Sequence, residues 1–439
     1  MNQTDAFSIK NAADQARDQG RLDEALRLYD QAIALRPQFA AAHYEKGDVL
    51  SRKGQFIEAA NCFMVAWVHG QFRKEPGLMC GRALLTAKFS LEACLVFERI
   101  RREDFDGVSA LYYADALRRE YRIRDAMALL PWIGEHPNNP VWRRIYGDCY
   151  LEMKDLEKAQ TILELGINDD DGGYIIDKLI ALYYAQQRYG DLRHILNVGA
   201  QRLQANPYYL AQLAVLDIIE GKPISVPLEQ VKARQALVDS ALYMQPHLGS
   251  LLAICGTTYQ TFDAVAGVVP AQGLILEFGV RNGHSINHLG ELFPDRKVYG
   301  FDSFEGLPEA WNDEGAGSYS AGGRLPKVPA NVEFVVGWFN ETLPGFKQAH
   351  PEPIAFMNVD CDLYSATKTI FDELDAQIVP GTVIVFDEYL INDSWRQDEF
   401  KAFQEWVATN SVEYRYLTAS FYSKQVSVKI LSRGGVGHV

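Results

Sequence analysis

Residues 273–285 read GLILEFGVRNGHS, and this stretch decides how the C-terminal half folds. Leu274 to Phe278 is a short apolar run closing on Gly279, as strands buried on both faces of a parallel sheet do. Gly279 and Gly283 allow a tight turn and a close approach to a ligand. A helix starting near Ser285 offers its free N–H groups to the same place. Glu277 is an acid inside an apolar strand, a costly placement unless it binds something.

Working outward, the runs RKVYGFD (296–302), VEFVVGW (332–338), PIAFMNVD (353–360) and GTVIVFDEY (381–389) repeat the strand pattern. The stretches between them, such as GHSINHLGELF (283–293) and ATKTIFDELDAQI (366–378), space their apolar residues as helices do. Alternating strands and helices predict an open, mostly parallel α/β sheet covered on both faces. YRYLTASFYS (414–423) and QVSVKIL (425–431) read as a closing antiparallel hairpin at one edge.

The N-terminal half keeps a different rhythm. In RLDEALRLYDQAIALRP, QFIEAANCFMVAW and SLEACLVFERI, a small residue falls at Ala25, Ala59 and Ala93, 34 residues apart. An aromatic follows at Tyr29, Phe63 and Phe97, and Gly47 and Gly81 precede the second and third alanines. This is the tetratricopeptide period, one helix–turn–helix unit per repeat. Alanine and glycine mark where two helices cross closely, the aromatic fills the groove, and Pro37 ends a helix. Copies continue through Ala126 and Ala159, each 33 residues on, and a last unit ends near Pro207. The expected organisation is an α-solenoid over 1–208, a helical linker over 209–268 opening on GKPISVP, and a Rossmann-like α/β domain over 269–439.

The 439 residues are 48% hydrophobic and 23% charged, which fits a globular chain and excludes a disordered or fibrous one. A net charge of −14 with no basic block argues against nucleic acid as a general partner. The six cysteines lie far apart without a CxxC pair, so they read as reduced thiols of a cytoplasmic protein. The N-terminus lacks a signal-peptide core, and no apolar run suffices for a membrane span.

In doubly wound sheets, ligands sit beyond the carboxyl ends of the strands. Asp302 ends the second strand 23 residues after Gly279 and is placed to accept both ribose hydroxyls of a nucleotide. A dinucleotide enzyme would use the same acid, but its G-x-G-x-x-G run is missing, with Val280, Arg281 and Asn282 in its middle. Later strand ends carry Asp360, Asp362, Asp387 and Glu388. Converging carboxylates repel, and a hard divalent cation such as Mg²⁺ or Ca²⁺ resolves the conflict. Solvated strand-end acids or helix caps are the bland alternative, with Asp362 a candidate cap. His284 is a candidate base or a solvated loop residue. Arg324 and Lys327 lie in a glycine-rich insertion that reads as a lid, and Trp395, Arg396 and Glu399 as acceptor-pocket or surface-helix residues.

LEFGVRNGHS, GFDSFEGLPE, DCDLYSAT and IVFDEY together resemble the macrocin O-methyltransferase family, over roughly residues 270–432. Its members are class I, S-adenosylmethionine- and Mg²⁺-dependent enzymes that methylate sugar hydroxyls of macrolides. The resemblance implies Glu277, Gly279, Gly283 and Ser285 around the methionine end of the cofactor and Asp302 on its ribose. Ser303, Phe304 and Trp338 would lie near the adenine. Asp360, Asp387 and Glu388 would take the metal positions, with Asp360 also the base. Glu388 departs from the family, which usually has Asp or Asn there.

The function expected is metal-assisted methyl transfer to a hydroxyl of a sugar, glycan or other natural-product acceptor. The repeats would serve a protein partner or self-association. A repeat adaptor carrying an inactive methyltransferase-like domain is the alternative. Retention of Glu277, Asp302, Asp360 and Asp387 speaks against it, since each acid is destabilising without a ligand.

Overall fold

The 34-residue period becomes antiparallel helix pairs in the computed structural model, which describes residues 3–434 except 72, 101–104, 121, 170–171 and 205. The chain divides into units of residues 1–166 and 167–439.

In the first unit the pairs are Gln3–Asp18 with Leu22–Leu35, Ala40–Arg52 with Phe56–His69, and Lys74–Thr86 with Ser90–Glu98. Ala25, Ala59, Ala93, Ala126 and Ala159 are all fully buried, so the period marks the helix crossings. The steric reason is visible at Gly47 and Gly81. A Cβ there would stand 2.8 Å from the Phe63 ring and 2.6 Å from that of Phe97, so each glycine leaves room for its repeat's aromatic. Gly147 leaves the same room for Leu163. The fourth repeat departs from the pattern. Its first helix is Gly107–Arg119, but its second breaks into Ile123–Met127 and Leu130–Ile133, where Pro131 cannot donate a helical N–H. The fifth pair, Pro140–Glu152 with Leu156–Glu164, is regular. Buried Asp115 joins Arg118 at 2.8 Å and Arg119 at 3.0 Å, and Arg118 reaches on to Asp148.

The second unit begins earlier than the expected boundary at 208. It holds the last repeat pair, Tyr174–Ala185 with Tyr189–Arg202, and the helix Tyr208–Ile219. The reason is specific bonding to the α/β part. Gln260 Nε2 donates to the Ala185 carbonyl at 2.8 Å, and buried Gln212 donates to the Phe421 carbonyl at 2.7 Å. The 209–268 segment is largely helical as expected, with Gln235–Met244 and Thr258–Ala266 as its later helices.

The sheet has eight strands: β1 (Ala253–Ile254), β2 (Leu274–Phe278), β3 (Val298–Asp302), β4 (Val332–Val336), β5 (Ile354–Val359), β6 (Val383–Phe386), β7 (Val412–Ala419) and β8 (Val426–Arg433). Their order is β1-β7-β8-β6-β5-β2-β3-β4. All neighbours are parallel except β8, which runs antiparallel to β6 and β7. The β7–β8 hairpin is as expected, but two-residue β1 adds outside it, a strand too short to leave a periodic signal. The strand order reverses between β2 and β5, which fixes the crevice where a ligand would sit.

Candidate active site

At the reversal point the chain has no room for a side chain. Gly279 follows β2 with φ +92°, and a Cβ there would overlap the Asp360 carbonyl oxygen at the end of β5. Asp360 N–H donates to the Phe278 carbonyl at 2.8 Å, so the two strand ends are stitched together beside the glycine. The helix His284–Leu292 then starts directly after Gly283, which takes the left-handed conformation at φ +81°.

Asp302 organises the loop between them. Its Oδ2 accepts the N–H groups of Val280 at 2.8 Å and Arg281 at 2.7 Å, and its Oδ1 accepts Phe304 N–H at 2.7 Å. The acid placed by sequence for a ribose thus also shapes the glycine turn. Oδ1 keeps acceptor capacity beyond its single bond. Ser303 Oγ accepts the N–H of Glu305, closing a local turn. Phe304 belongs to the core, edge-on to Phe334, so its ring is not open to a base. Trp338 is half-buried just after β4.

Glu277 is fully buried. Its Oε1 accepts the Asn358 amide at 2.9 Å, while its Oε2 has no partner. Burial pushes its pKa up to about 8. Ser285 and Asn358 oppose the shift, and Asp387 and Asp302 add to it. Asn358 Oδ1, Glu399 Oε1 and Gln425 Oε1 are likewise buried acceptors without partners. An unpaired buried acceptor costs about 1–3 kcal/mol. A donor from a ligand, such as an ammonium group, would satisfy an acceptor of this kind.

The strand-end acids act on one another electrostatically. Burial first, then Asp387 and Asp362, raises the Asp360 pKa well above the carboxylate range. Asp387 and Asp362 are each pushed up to about 7, by burial and then by Glu388. Asp362 does not cap the helix Tyr364–Leu374, whose start carries no side-chain cap, and it sits at φ +63°. Asp360 and Asp387 offer oxygen donors, the type a hard divalent cation takes, although Lys424 opposes the rise at Asp387. Glu388 is otherwise engaged. Lys424 Nζ lies 2.9 Å from both of its oxygens, and the Asn392 amide bonds it as well. Among the described residues, no three His, Cys, Asp or Glu side chains are grouped to hold a metal ion.

Other candidates fall elsewhere. His284 is packed against Tyr259 rather than solvated, and burial holds its pKa well below the usual value. Trp395 is buried against Tyr243 and Phe400, and Arg396 stacks on Trp395, so both fasten the helix Gln235–Met244. Glu399 is fully buried, and its Oε2 accepts Glu388 N–H at 3.0 Å. The insertion after β3 reaches across the strand ends, with Glu309 bonding Ser365 and Asn312 bonding Ser394. Sequence reasoning missed Asn358, Lys424 and Gln425. Asn358, polar in an apolar strand beside Glu277's, carried a readable signal. The hairpin residues carried none, because their partners are more than 30 positions away.

Residues 276–389 match the family model of a methyltransferase domain, and residues 13–54 that of a tetratricopeptide repeat. One chain thus carries a tetratricopeptide-repeat match N-terminal to a methyltransferase-domain match. One relative is 8-demethyl-8-(2,3-dimethoxy-alpha-L-rhamnosyl)-tetracenomycin-C 4'-O-methyltransferase of Streptomyces olivaceus, 32% identical over 22% of this chain and 43% of that protein. Demethyldecarbamoylnovobiocin O-methyltransferase of Streptomyces niveus is 30% identical over 32% of this chain and 62% of the relative. The chain therefore spans about half the length of these curated relatives. The crystal structure of CalS11, a calicheamicin methyltransferase, aligns at TM-score 0.31 with 21% identity, over 46% of this chain and 86% of that one. The match to the methyltransferase domain begins at Leu276 and ends at Tyr389, so it encloses the carboxyl ends of β2 to β6. No described helix is long and apolar enough to cross a membrane.

Proposed function

We propose that the protein is an S-adenosylmethionine-dependent O-methyltransferase acting on a hydroxyl of a sugar or other polyhydroxylated natural-product acceptor. The observation that carries this reading is the β2–β5 reversal, where Gly279 packs against the Asp360 carbonyl and buried Glu277 keeps an oxygen without a partner. The two O-methyltransferase relatives support the same chemistry. Residues 269–439 would carry catalysis, 209–268 connect, and 1–208 serve recognition or self-association.

Glu277, Gly279, Gly283 and Ser285 would receive the methionine end, with Glu277 Oε2 accepting its ammonium. Asp302 would hold the ribose hydroxyls while keeping the 280–281 turn in shape. Ser303 and Trp338 flank the adenine side, and Phe304 supports that wall from the core. S-adenosylmethionine supplies the methyl group, and a divalent cation held by Asp360 and Asp387 would supply the Lewis acidity that makes a sugar hydroxyl easier to deprotonate. Asp360, beside Gly279, is the group positioned to accept the hydroxyl's proton. The insertion spanning Glu309 and Asn312 would keep water from the crevice.

The adaptor alternative predicts no cofactor site. Thermal melts with S-adenosylmethionine and with NAD⁺ separate the readings. The methyltransferase reading expects only the first to raise the Tm, by mass action on the folded state. No shift with S-adenosylmethionine would favour the adaptor.

A further inference from the structure

Three successive residues in the first turn of the helix Thr258–Ala266 bond three different parts of the second unit. Thr258 Oγ1 accepts Gln425 Nε2 of the β7–β8 hairpin at 2.7 Å. The Tyr259 hydroxyl lies 2.8 Å from the His284 ring nitrogens, beside the glycine turn. Gln260 Nε2 donates at 2.8 Å to the carbonyl of Ala185, which ends the first helix of the last repeat pair. Successive helix residues point about 100° apart, so one turn can reach in three directions. The turn is itself fixed. Thr257 Oγ1 accepts Gln260 N–H at 3.2 Å as its cap, and Gly256 N–H donates to Gln260 Oε1 at 2.7 Å. A Cβ at buried Gly256 would overlap the Ala181 carbonyl oxygen, so the repeat helix sits directly on the root of this turn.

The same helix also clasps the helix that follows the glycine turn, His284–Leu292. Tyr259 and Asp263 are four residues apart, as are His284 and His288, so each pair shares one face of its helix. The Tyr259 ring stacks on that of His284 with centroids 5.1 Å apart and lies 4.7 Å from that of His288. His288 Nε2 donates to Asp263 Oδ1 at 2.9 Å. His284 stands between Gly283 and Ser285, so whatever shifts these contacts shifts the turn assigned above to the methionine end of the cofactor. Tyr259, Gln260 and Asp263 all precede Leu276, where the methyltransferase-domain match begins.

We propose that Tyr259 and Asp263 are positioning residues of the glycine turn, and that Gln260 makes their placement depend on the last repeat pair. Cofactor occupancy and the packing of the helix Tyr174–Ala185 are then coupled, and each stabilises the other to the same extent. This rests on the S-adenosylmethionine reading above. The last repeat pair is thereby part of the cofactor-binding unit.

Calorimetric titration of S-adenosylhomocysteine into the full-length protein, with hydrogen exchange of the free and bound forms, tests this. Asp263→Ala should weaken binding by about threefold or more, within the range reached by residues that touch no ligand. Asp263→Asn keeps an oxygen for His288 and should recover most of that loss. In wild type, S-adenosylhomocysteine should slow exchange at residues 280–288 and also at 174–186. Gln260→Glu keeps an acceptor for Gly256 N–H but loses the donor to Ala185. It should abolish the slowing at 174–186 and preserve it at 280–288, and uncharged Gln260→Met, which also lacks the donor, should do the same. A smaller loss in Asp263→Ala, or equal losses in Asp263→Ala and Asp263→Asn, would overturn the positioning role. Exchange at 174–186 that ignores the ligand in wild type, or responds equally in both Gln260 variants, would overturn the coupling. Absence of S-adenosylhomocysteine binding by folded wild type would instead overturn the cofactor reading beneath it.

Discussion

The repeats and the strand-end crevice are both crowded, yet they are crowded in opposite ways. In the first unit, each small residue meets a large one: Gly47 faces Phe63, Gly81 faces Phe97 and Gly147 faces Leu163. Even its deeply buried acid is satisfied, since Asp115 has Arg118, Arg119 and Arg144 around it. Burial alone would raise the Asp115 pKa, but these arginines outweigh it and hold the carboxyl below its usual range. At the crevice, Glu277, Asn358, Glu399 and Gln425 all keep a buried oxygen with no partner. The buried acid of the repeats is neutralised by arginines of its own unit, whereas the crevice acids have mostly one another as neighbours.

The sharpest break in that comparison comes from the repeats. Phe97→Ala empties a site that glycine was selected to fit, and should destabilise the first unit by about 3–5 kcal/mol. S-adenosylhomocysteine affinity should stay within twofold. Urea unfolding followed by circular dichroism, with a parallel ligand titration, checks both halves of the statement. A large affinity loss would mean that the two regions are not separable.

Asp302 offers the converse. It accepts three backbone N–H groups and would also hold the ribose. Asp302→Ala should weaken S-adenosylhomocysteine binding by about 1.5–3 kcal/mol, in the range of charge-assisted hydrogen bonds. Far-ultraviolet dichroism should be unchanged. Unaltered affinity in the folded variant would remove Asp302 from the cofactor site.

Glu277 sharpens the comparison through pH. Its folded pKa of about 8 stands above the ordinary 4.5. Below 4.5 both folded and unfolded chains carry the proton, and nothing is lost. As pH rises from there to about 8, the unfolded chain releases the proton first, so the folded state loses its advantage. Without cofactor, wild type should lose about 3 kcal/mol more stability than Glu277→Gln between pH 5 and pH 8. Urea melts of both proteins at the two pH values measure this, and equal losses would show that Glu277 is not held up by burial.

Most of the architecture was legible because it is written locally. The alanine and glycine spacing gave the helix crossings, and five apolar runs gave the five parallel strands from β2 to β6. Three features escaped. The break at Pro131 was hidden because Ala126 kept its place in the period while the following turn did not. The start of the second unit at residue 167 depends on side-chain bonds such as Gln212 to Phe421, which link segments far apart in sequence. Two-residue β1 is below any periodic signal. The site was legible as a set of strand-end acids, since strand ends can be read. How those acids are paired could not be. Glu388 looks like its neighbour Asp387 in sequence, and only the fold brings Lys424 to one and Gln425 to the other. Glu399 reads equally as an acceptor-pocket or a surface-helix acid until its burial is seen.

The central claim is that the crevice at the β2–β5 reversal is unfinished without an adenosyl-sulfonium or adenosyl-thioether ligand. Calorimetric titration of S-adenosylhomocysteine into the full-length protein tests this most directly. The account predicts saturable binding at one site per chain and no detectable heat from NAD⁺ under the same conditions. Absence of binding by S-adenosylhomocysteine, in protein shown to be folded, would contradict it.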